Sequence, residues 1–323
     1  MNIPVFDLHC DTALGLLGKD MMTPGLLRQN ELHIDLERAG KLGGYAQCFA
    51  CFTTPYMRDW HQVSPETVFQ AELDALMHQL ALNADVISQA FTARDVRKNM
   101  EKGIMSAILT IEGPAGFGFD PQLLQDLYAV GFRISSLGWN EKNPLTGSHK
   151  TGGGLTDLGR EYVKEAQRLG MIVDVSHISD EGFWDIIEIT EKPIVATHSN
   201  SRAVCGNSRN LTDDMFKAIC RTGGVAGFNQ CAPFVGENCD LDTACDHFLH
   251  FLELDPEGDH IALGGDLDGT ALPPSFGGIA FYEVLCEYLA QKGYREELLD
   301  SIFFQNAFNF FSAALQSAEN KVK

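Results

Sequence analysis

The chain is poor in basic residues, with 24 lysines and arginines against 44 acidic residues and a formal net charge of −20. Such a field repels phosphate backbones and anionic lipid, so nucleic acid and membrane surfaces are not expected as partners. A small anionic substrate is not excluded, because a local arginine or a metal inverts the sign inside a pocket. No stretch approaches the roughly 18 uninterrupted apolar residues of a membrane span. The opening Met-Asn-Ile-Pro-Val-Phe has no basic n-region or apolar h-region, so no signal peptide is expected, and the polar tail 317–323 is no lipid-anchor signal. There is no Gly-x-Ser-x-Gly elbow, P-loop or His-Glu-x-x-His, which lowers serine hydrolase, nucleotidase and zincin readings. Low-complexity linkers and short internal repeats are also missing, which favours one domain spanning 1–323. The nine cysteines are odd in number and irregularly spaced, and are read as reduced core thiols of a cytoplasmic protein. Cys48-Phe49-Ala50-Cys51 lies within an apolar strand and reads as packing rather than a zinc or redox motif.

What is present is an alternation of two kinds of segment. Short β-rich runs are expected at 5–9, 45–52, 106–111, 133–136, 172–175, 194–197, 224–228 and 261–264. They show little period-2 alternation, as buried parallel strands do. Helical segments separate them. The clearest is expected from Pro65 to about Ala90, on a stripe of Leu73, Leu76, Met77, Leu80, Ala84 and Ile87. Others are expected at 157–169, with Thr156 as N-cap, and at 180–189, 213–221, 242–252 and 279–291. Eight strands alternating with helices point to an α/β fold, a (β/α)₈ TIM barrel, with a doubly wound open sheet as the competitor.

Residues able to bind metal fall at one end of these strands. His9 and Asp11 follow the first strand, two apart, so that both side chains are expected on one side. Glu112 ends the third strand, His177 the fifth and His198 the sixth, while Asp266 follows the eighth. In a barrel these ends converge at one mouth, where catalytic groups sit. Each residue alone has a plainer reading, as a hydrogen-bonded core histidine or a carboxylate capping the next helix. Together, left unpartnered, they would cost several kcal/mol, which a metal relieves.

The order His9-x-Asp11, Glu112-Gly113, Ser176-His177, His198-Ser199, Ser208-Arg209-Asn210 and Gly264-Gly265-Asp266-Leu267-Asp268-Gly269 resembles the membrane dipeptidase (renal dipeptidase) family of zinc metallopeptidases. Supporting stretches are 154–159, 169–174 and a closing Asn306-Ala307-Phe308-Asn309-Phe310-Phe311 that looks like the family's last helix. The resemblance spans nearly the whole chain. It implies an amidohydrolase-type barrel with two zinc ions, His9 and Asp11 holding one, His177 and His198 the other, and Glu112 bridging both. A bridging carboxylate suits two dications some 3.5–4 Å apart.

The same resemblance implies hydrolysis of free dipeptides by metal-activated hydroxide, in a range that includes a D-residue at the second position. Asp266 would take the nucleophile's proton and pass it to the departing amine; as a plain loop residue it would make an Asx-turn before Gly269. Arg209, eleven residues past His198, matches the arginine that grips the substrate's terminal carboxylate. Its plainer reading is a surface partner of Asp213 or Asp214. Asp268 is open between binding the substrate amine, orienting a ligand and shaping its loop. The sequence departs from the pattern at Trp139, where mammalian members carry a histidine contacting the substrate. An indole donates one hydrogen bond or packs on a side chain, or is simply a rim aromatic; His149 is a nearby substitute. His247 and His250 read as a solvated surface pair, and His33, His61, His78 and His260 have no motif context. Competing functions are a related metal hydrolase of a carboxylate-bearing amide, lactam or cyclic imide, and a non-catalytic metal-binding barrel. Acidic barrel enzymes often dimerise, so a homodimer is one expected assembly.

Overall fold

In the computed structural model, residues 3–18, 21 and 24–319 are described. Nine parallel strands form one sheet: β1 Val5–Cys10, β2 Tyr45–Phe52, β3 Ile87–Gln89, β4 Met105–Glu112, β5 Phe132–Ser136, β6 Ile172–Asp174, β7 Val195–Ala196, β8 Val225–Phe228 and β9 Ile261–Leu263. β1 pairs with both β2 and β9, and β2 pairs with β4 over seven positions from Ala46↔Ser106 to Phe52↔Glu112. The order β1-β2-β4-β5-β6-β7-β8-β9 therefore closes on itself as a (β/α)₈ barrel, and an open sheet is ruled out.

The ninth strand, β3, pairs only with the first residues of β4 and lies where helix was expected. The helix opens at Ser64, whose hydroxyl accepts from Thr67 N–H, and runs Pro65–Leu82. It stops at Asn83, whose side-chain amide bonds back to the Gln79 carbonyl at 2.8 Å and whose carbonyl receives the Val86 and Ile87 N–H groups. Ile87 thus leaves the helical stripe and enters a strand. The other helices follow their caps. Thr156 and Ser179 accept from the third residue of Asp157–Leu169 and Asp180–Ile189, respectively.

Side chains inside the barrel, among them Phe6, Leu8, Cys48, Ile108, Ile134, Ile172 and Val225, form one cluster with Phe304, Phe308 and Phe311. The C-terminal helix Asn306–Glu319 carries two of those rings and plugs the N-terminal end of the barrel, with Phe6 ring centroids 5.9 Å from Phe304 and 6.0 Å from Phe311. Among the described residues, the opposite end alone is left for chemistry. Cys48 belongs to this inner cluster and Cys51 to the outer one beneath the helices, so the two thiols point to opposite faces of β2. His247 corrects the surface-pair expectation. It is fully buried, its Nδ1 accepting from Ser201 N–H at 3.2 Å and its Nε2 donating to the Val235 carbonyl at 2.8 Å. Loop 200–201 and the helix carrying His247 meet only in three dimensions, which the sequence pattern does not show.

Candidate metal centre

The barrel presents the ligands through local departures from regular structure. β1 and β2 run in register from Val5↔Tyr45 to Asp7↔Gln47, then slip so that Cys10 faces Phe49. Counted by twos, Phe6 and Leu8 point inward and His9 would follow Leu8 outward. The bulge turns it inward instead. Asp7 secures that bend, its Oδ1 accepting from His9 N–H at 2.8 Å and Gly265 N–H at 3.1 Å while the Tyr282 hydroxyl donates to Oδ2. His9 and Asp11 do converge, Nε2 to Oδ2 at 3.3 Å, but through a bulge rather than strand alternation. Asp11 stands at the N-cap of the short helix Thr12–Gly15 yet makes no capping bond, and its Oδ1 is buried without a partner. His177, Asp266 and Asp268 have φ of +68°, +56° and +68°. These left-handed conformations cost of order 1 kcal/mol or more each in non-glycine residues and concentrate at functional sites.

Glu112, the last residue of β4, lies between the two histidine groups. Its Oε2 is 3.3 Å from His9 Nε2, and its Oε1 is 2.9 Å from His177 Nε2 and 3.7 Å from His198 Nε2. The His177 and His198 Nε2 atoms are themselves 2.9 Å apart, and the His9 and His198 rings stack at 3.7 Å. Hydrogen bonds on the far side of each ring assign the tautomers. The Thr197 hydroxyl donates to Asp174 Oδ2 at 2.5 Å, so it accepts from His198 Nδ1 at 2.7 Å. Asn140 Oδ1 accepts from His177 Nδ1 at 3.1 Å and from His149 Nε2 at 2.8 Å. Both site histidines therefore carry their proton on Nδ1, and both Nε2 lone pairs face each other and Glu112 Oε1. Lone pairs at that range repel unless a cation stands among them.

The electrostatics agree. Burial, reinforced by the Asp11 charge, pushes the Glu112 carboxyl up to about 8, and burial likewise raises Asp266. Burial holds His177 and His198 well below the usual imidazole range, in the neutral form that ligates metal. Burial acts the same way on His9, but Glu112 and Asp11 outweigh it and hold that imidazole well above its ordinary value. A proton there does what a dication would do better. The donor set fits metal: the neutral His177 and His198 imidazoles, with His9 and the carboxylates, are buried, converging and short of positive charge.

Asp11, Glu112, Trp139, His177, Asp266 and Asp268 line one cavity of about 180 Å³, together with Leu14, Phe52, Asn140 and Phe234. His9 and His198 stand behind its wall. Asp266 Oδ2 accepts from the Asn229 amide at 3.0 Å, and its turn to Gly269 is a backbone contact of 3.3 Å rather than an Asx-turn. Gly269 admits this crowding, since a Cβ there would fall 2.0 Å from Asp11 Oδ2 and 2.7 Å from Asp266 Oδ1. Asp268 has both oxygens engaged, by Thr12 Oγ1 at 2.6 Å and His33 N–H at 2.5 Å, and its own N–H donates to His33 Nδ1. It shapes the loop. Arg209 is buried against His198 rather than on the surface with Asp213 or Asp214. Its Nη1 donates to Ser199 Oγ at 2.6 Å, its Nη2 to the His198 carbonyl at 3.0 Å, and its Nε has no partner. It lines a fissure beside the main cavity, with Ser199 and Ser208.

Sequence reasoning passed over Asp7, Asn140, Asp174, Thr197, Asn229 and His33. Asp7 and Asp174 each accept the backbone N–H two residues on, His9 and Ser176, so an aspartate just ahead of a site histidine was the available signal. A second cluster able to hold metal, Cys220, Asp255 and His260, is half-buried beside the N-terminal ends of β8 and β9, away from this cavity.

Comparison with known proteins agrees with this geometry. The sequence profile of "Membrane dipeptidase (Peptidase family M19)" matches residues 1–323. The "Uncharacterized protein in pqqA 5′region" of Klebsiella pneumoniae is 34% identical over 255 residues, 72% of this chain and 94% of that one. A Rhodobacter sphaeroides metallopeptidase, solved with a phosphinate mimic of L-Ala-D-Ala, superposes with a TM-score of 0.85 at 27% identity, covering 97% of this chain and all of that one. The crystal structure of "dipeptidase AC" superposes with a TM-score of 0.86 at 27% identity, covering 98% and 99% of the two chains.

Proposed function

Because the chain belongs to the membrane dipeptidase family of metallopeptidases, we propose that it hydrolyses free dipeptides, L,D-dipeptides included, at a two-zinc centre. His9 and Asp11 would hold one ion, His177 and His198 the other, and Glu112 both. The observation that carries this reading is the division of Glu112, with Oε2 toward His9 and Oε1 toward the His177 and His198 nitrogens. Bound zinc would supply Lewis acidity toward the peptide carbonyl and acidify water at neutral pH.

The chain's own groups do the rest. Asn229 holds Asp266 Oδ2, leaving Oδ1 beside Asp11 to take the proton of the attacking water and return it to the departing amine. Asn140 and Thr197 keep protons on the far nitrogens of His177 and His198. Arg209 Nε has no partner, and with the second N–H of each Nη it would be open to the substrate's terminal carboxylate. The burial of Cys10, Cys48, Cys51, Cys231 and Cys245 as core thiols supports a reducing, cytoplasmic compartment.

The test is zinc content together with turnover of an L,L and L,D dipeptide panel. Two zinc ions per chain and hydrolysis of both classes are expected. Asp266→Asn should keep both ions and lose about 10²–10⁴-fold in kcat. Zinc-loaded protein that cleaves no dipeptide, or an Asp266→Asn enzyme of near-normal turnover, would sink the corresponding claim.

A further inference from the structure

The inner wall of the cavity is charged, but its outer wall is aromatic. Phe52 and Trp139 meet edge to face with ring centroids 5.3 Å apart. Trp60 stands perpendicular to Trp139 at 5.6 Å, and Tyr56 lies 5.6 Å from Trp60. The series begins at the site itself, since the Trp139 ring is 6.2 Å from that of His177. It ends in solvent, where Trp60 is 49% and Tyr56 43% exposed. The segment that carries the outer rings is anchored rather than loose. Met57, in the helix Met57–His61, is fully buried with Leu17, Phe52 and Val68, and Trp139 packs on the same cluster. At the rim, the Lys150 ammonium lies 5.9 Å from the Trp139 ring centroid, a cation–π contact that helps hold the indole in place.

Single exposed apolar side chains need no explanation, but aromatic rings in contact with one another and continuous with a cavity mark a recognition surface. The volume decides what is recognised. At about 180 Å³ the cavity falls below the roughly 300–1,000 Å³ of ordinary small-molecule sites, enough for a dipeptide backbone with small side chains. A large side chain has to leave through the mouth, and there it meets Trp139 and then Trp60.

We propose that Trp139, Trp60 and Tyr56 form a side-chain subsite that selects dipeptides bearing one bulky apolar residue, aromatic above aliphatic. The inference rests on the dipeptidase reading and names the substrate class of the same site. Stacking on rigid rings rewards a flat apolar side chain over an aliphatic one and gives no return for desolvating a carboxylate.

The experiment measures kcat/KM of the zinc-loaded protein on two series, Xaa-Ala and Ala-Xaa, with Xaa alanine, leucine, phenylalanine or glutamate. At one of the two positions phenylalanine should exceed alanine by about tenfold or more, and glutamate should fall below alanine. Trp60→Ala should cut the phenylalanine-to-alanine ratio by about fivefold, whichever way the absolute rates move, and Trp60→Phe should largely keep it. A flat profile at both positions overturns the proposal, as does a ratio unchanged in Trp60→Ala. In either case turnover of Ala-Ala leaves the dipeptidase reading standing. If no member of either series is hydrolysed, both fall together.

Discussion

Asp174 does not line the metal-site cavity, yet it sets the chemistry of His198 from two hydrogen bonds away. Its Oδ2 takes the Thr197 proton, which obliges the hydroxyl to accept from His198 Nδ1, and its Oδ1 holds the Ser176 and Thr197 N–H groups. The histidine is thereby held in one tautomer and one orientation, with Nε2 bare. Thr197→Val keeps the shape of the side chain and removes the relay. It should weaken zinc binding by about 10–100-fold in a competitive chelator titration, with the fold intact by circular dichroism. Unchanged affinity would mean that the relay is only packing. The first-contact residues of this centre were legible from their types and positions at strand ends. Asp174 and Asn140 were not, because what distinguishes them is a partner 23 or 37 residues away, Thr197 for one and His177 for the other.

Among the elements, caps and apolar stripes made the helices readable, and Thr156 begins its helix as the sequence suggests. β3 was not readable, because three residues pairing on the flank of β4 leave no periodic signal and Ile87 continues the preceding helical stripe by coincidence. The helix Leu241–Leu254 shows what burial adds. Inside it, His247 accepts from Ser201 N–H and donates to Val235 O, a pattern that only the neutral ring satisfies. Burial lowers its pKa from 6.5 to about 4. The folded state therefore resists a proton that the unfolded chain accepts, so stability is complete above about pH 6.5 and declines as pH falls toward 4. The loss from this ring is roughly 3 kcal/mol at its limit. Urea midpoints should show His247→Gln less stable at pH 7 but with a flatter dependence between pH 6.5 and 4. An equally steep decline in the variant would assign the acid sensitivity elsewhere.

For the molecule as a whole, closure of the sheet is the decisive event. The C-terminal helix seals one end of the barrel with Phe308 and Phe311, so the strand ends carrying Glu112 and His177 face the only open mouth among the described elements. Buried carboxylates with raised pKa and orphaned oxygens make the metal-free molecule electrostatically unfavourable. Ions that bind only the folded state stabilise it, by about 4 kcal/mol at a thousandfold excess over Kd. Exhaustive chelation should therefore abolish dipeptide turnover and lower Tm by several degrees, and added zinc should restore both. A chelated protein with the same Tm and the same turnover would contradict a metal centre here.

The sequence by itself determined the chemistry available and the end of each strand on which it sits, because residue type and strand burial are local properties. His9, Asp11, Glu112, His177, His198 and Asp266 could be picked out on that basis. Tertiary structure alone decided that the sheet closes through β2 and β4, that a bulge turns His9 inward, and that Glu112 lies between two histidine groups. It also decided that Arg209 is buried behind His198 and that Trp139 opens onto an aromatic ridge. These follow from pairing and packing between segments far apart in the chain, which no local pattern encodes.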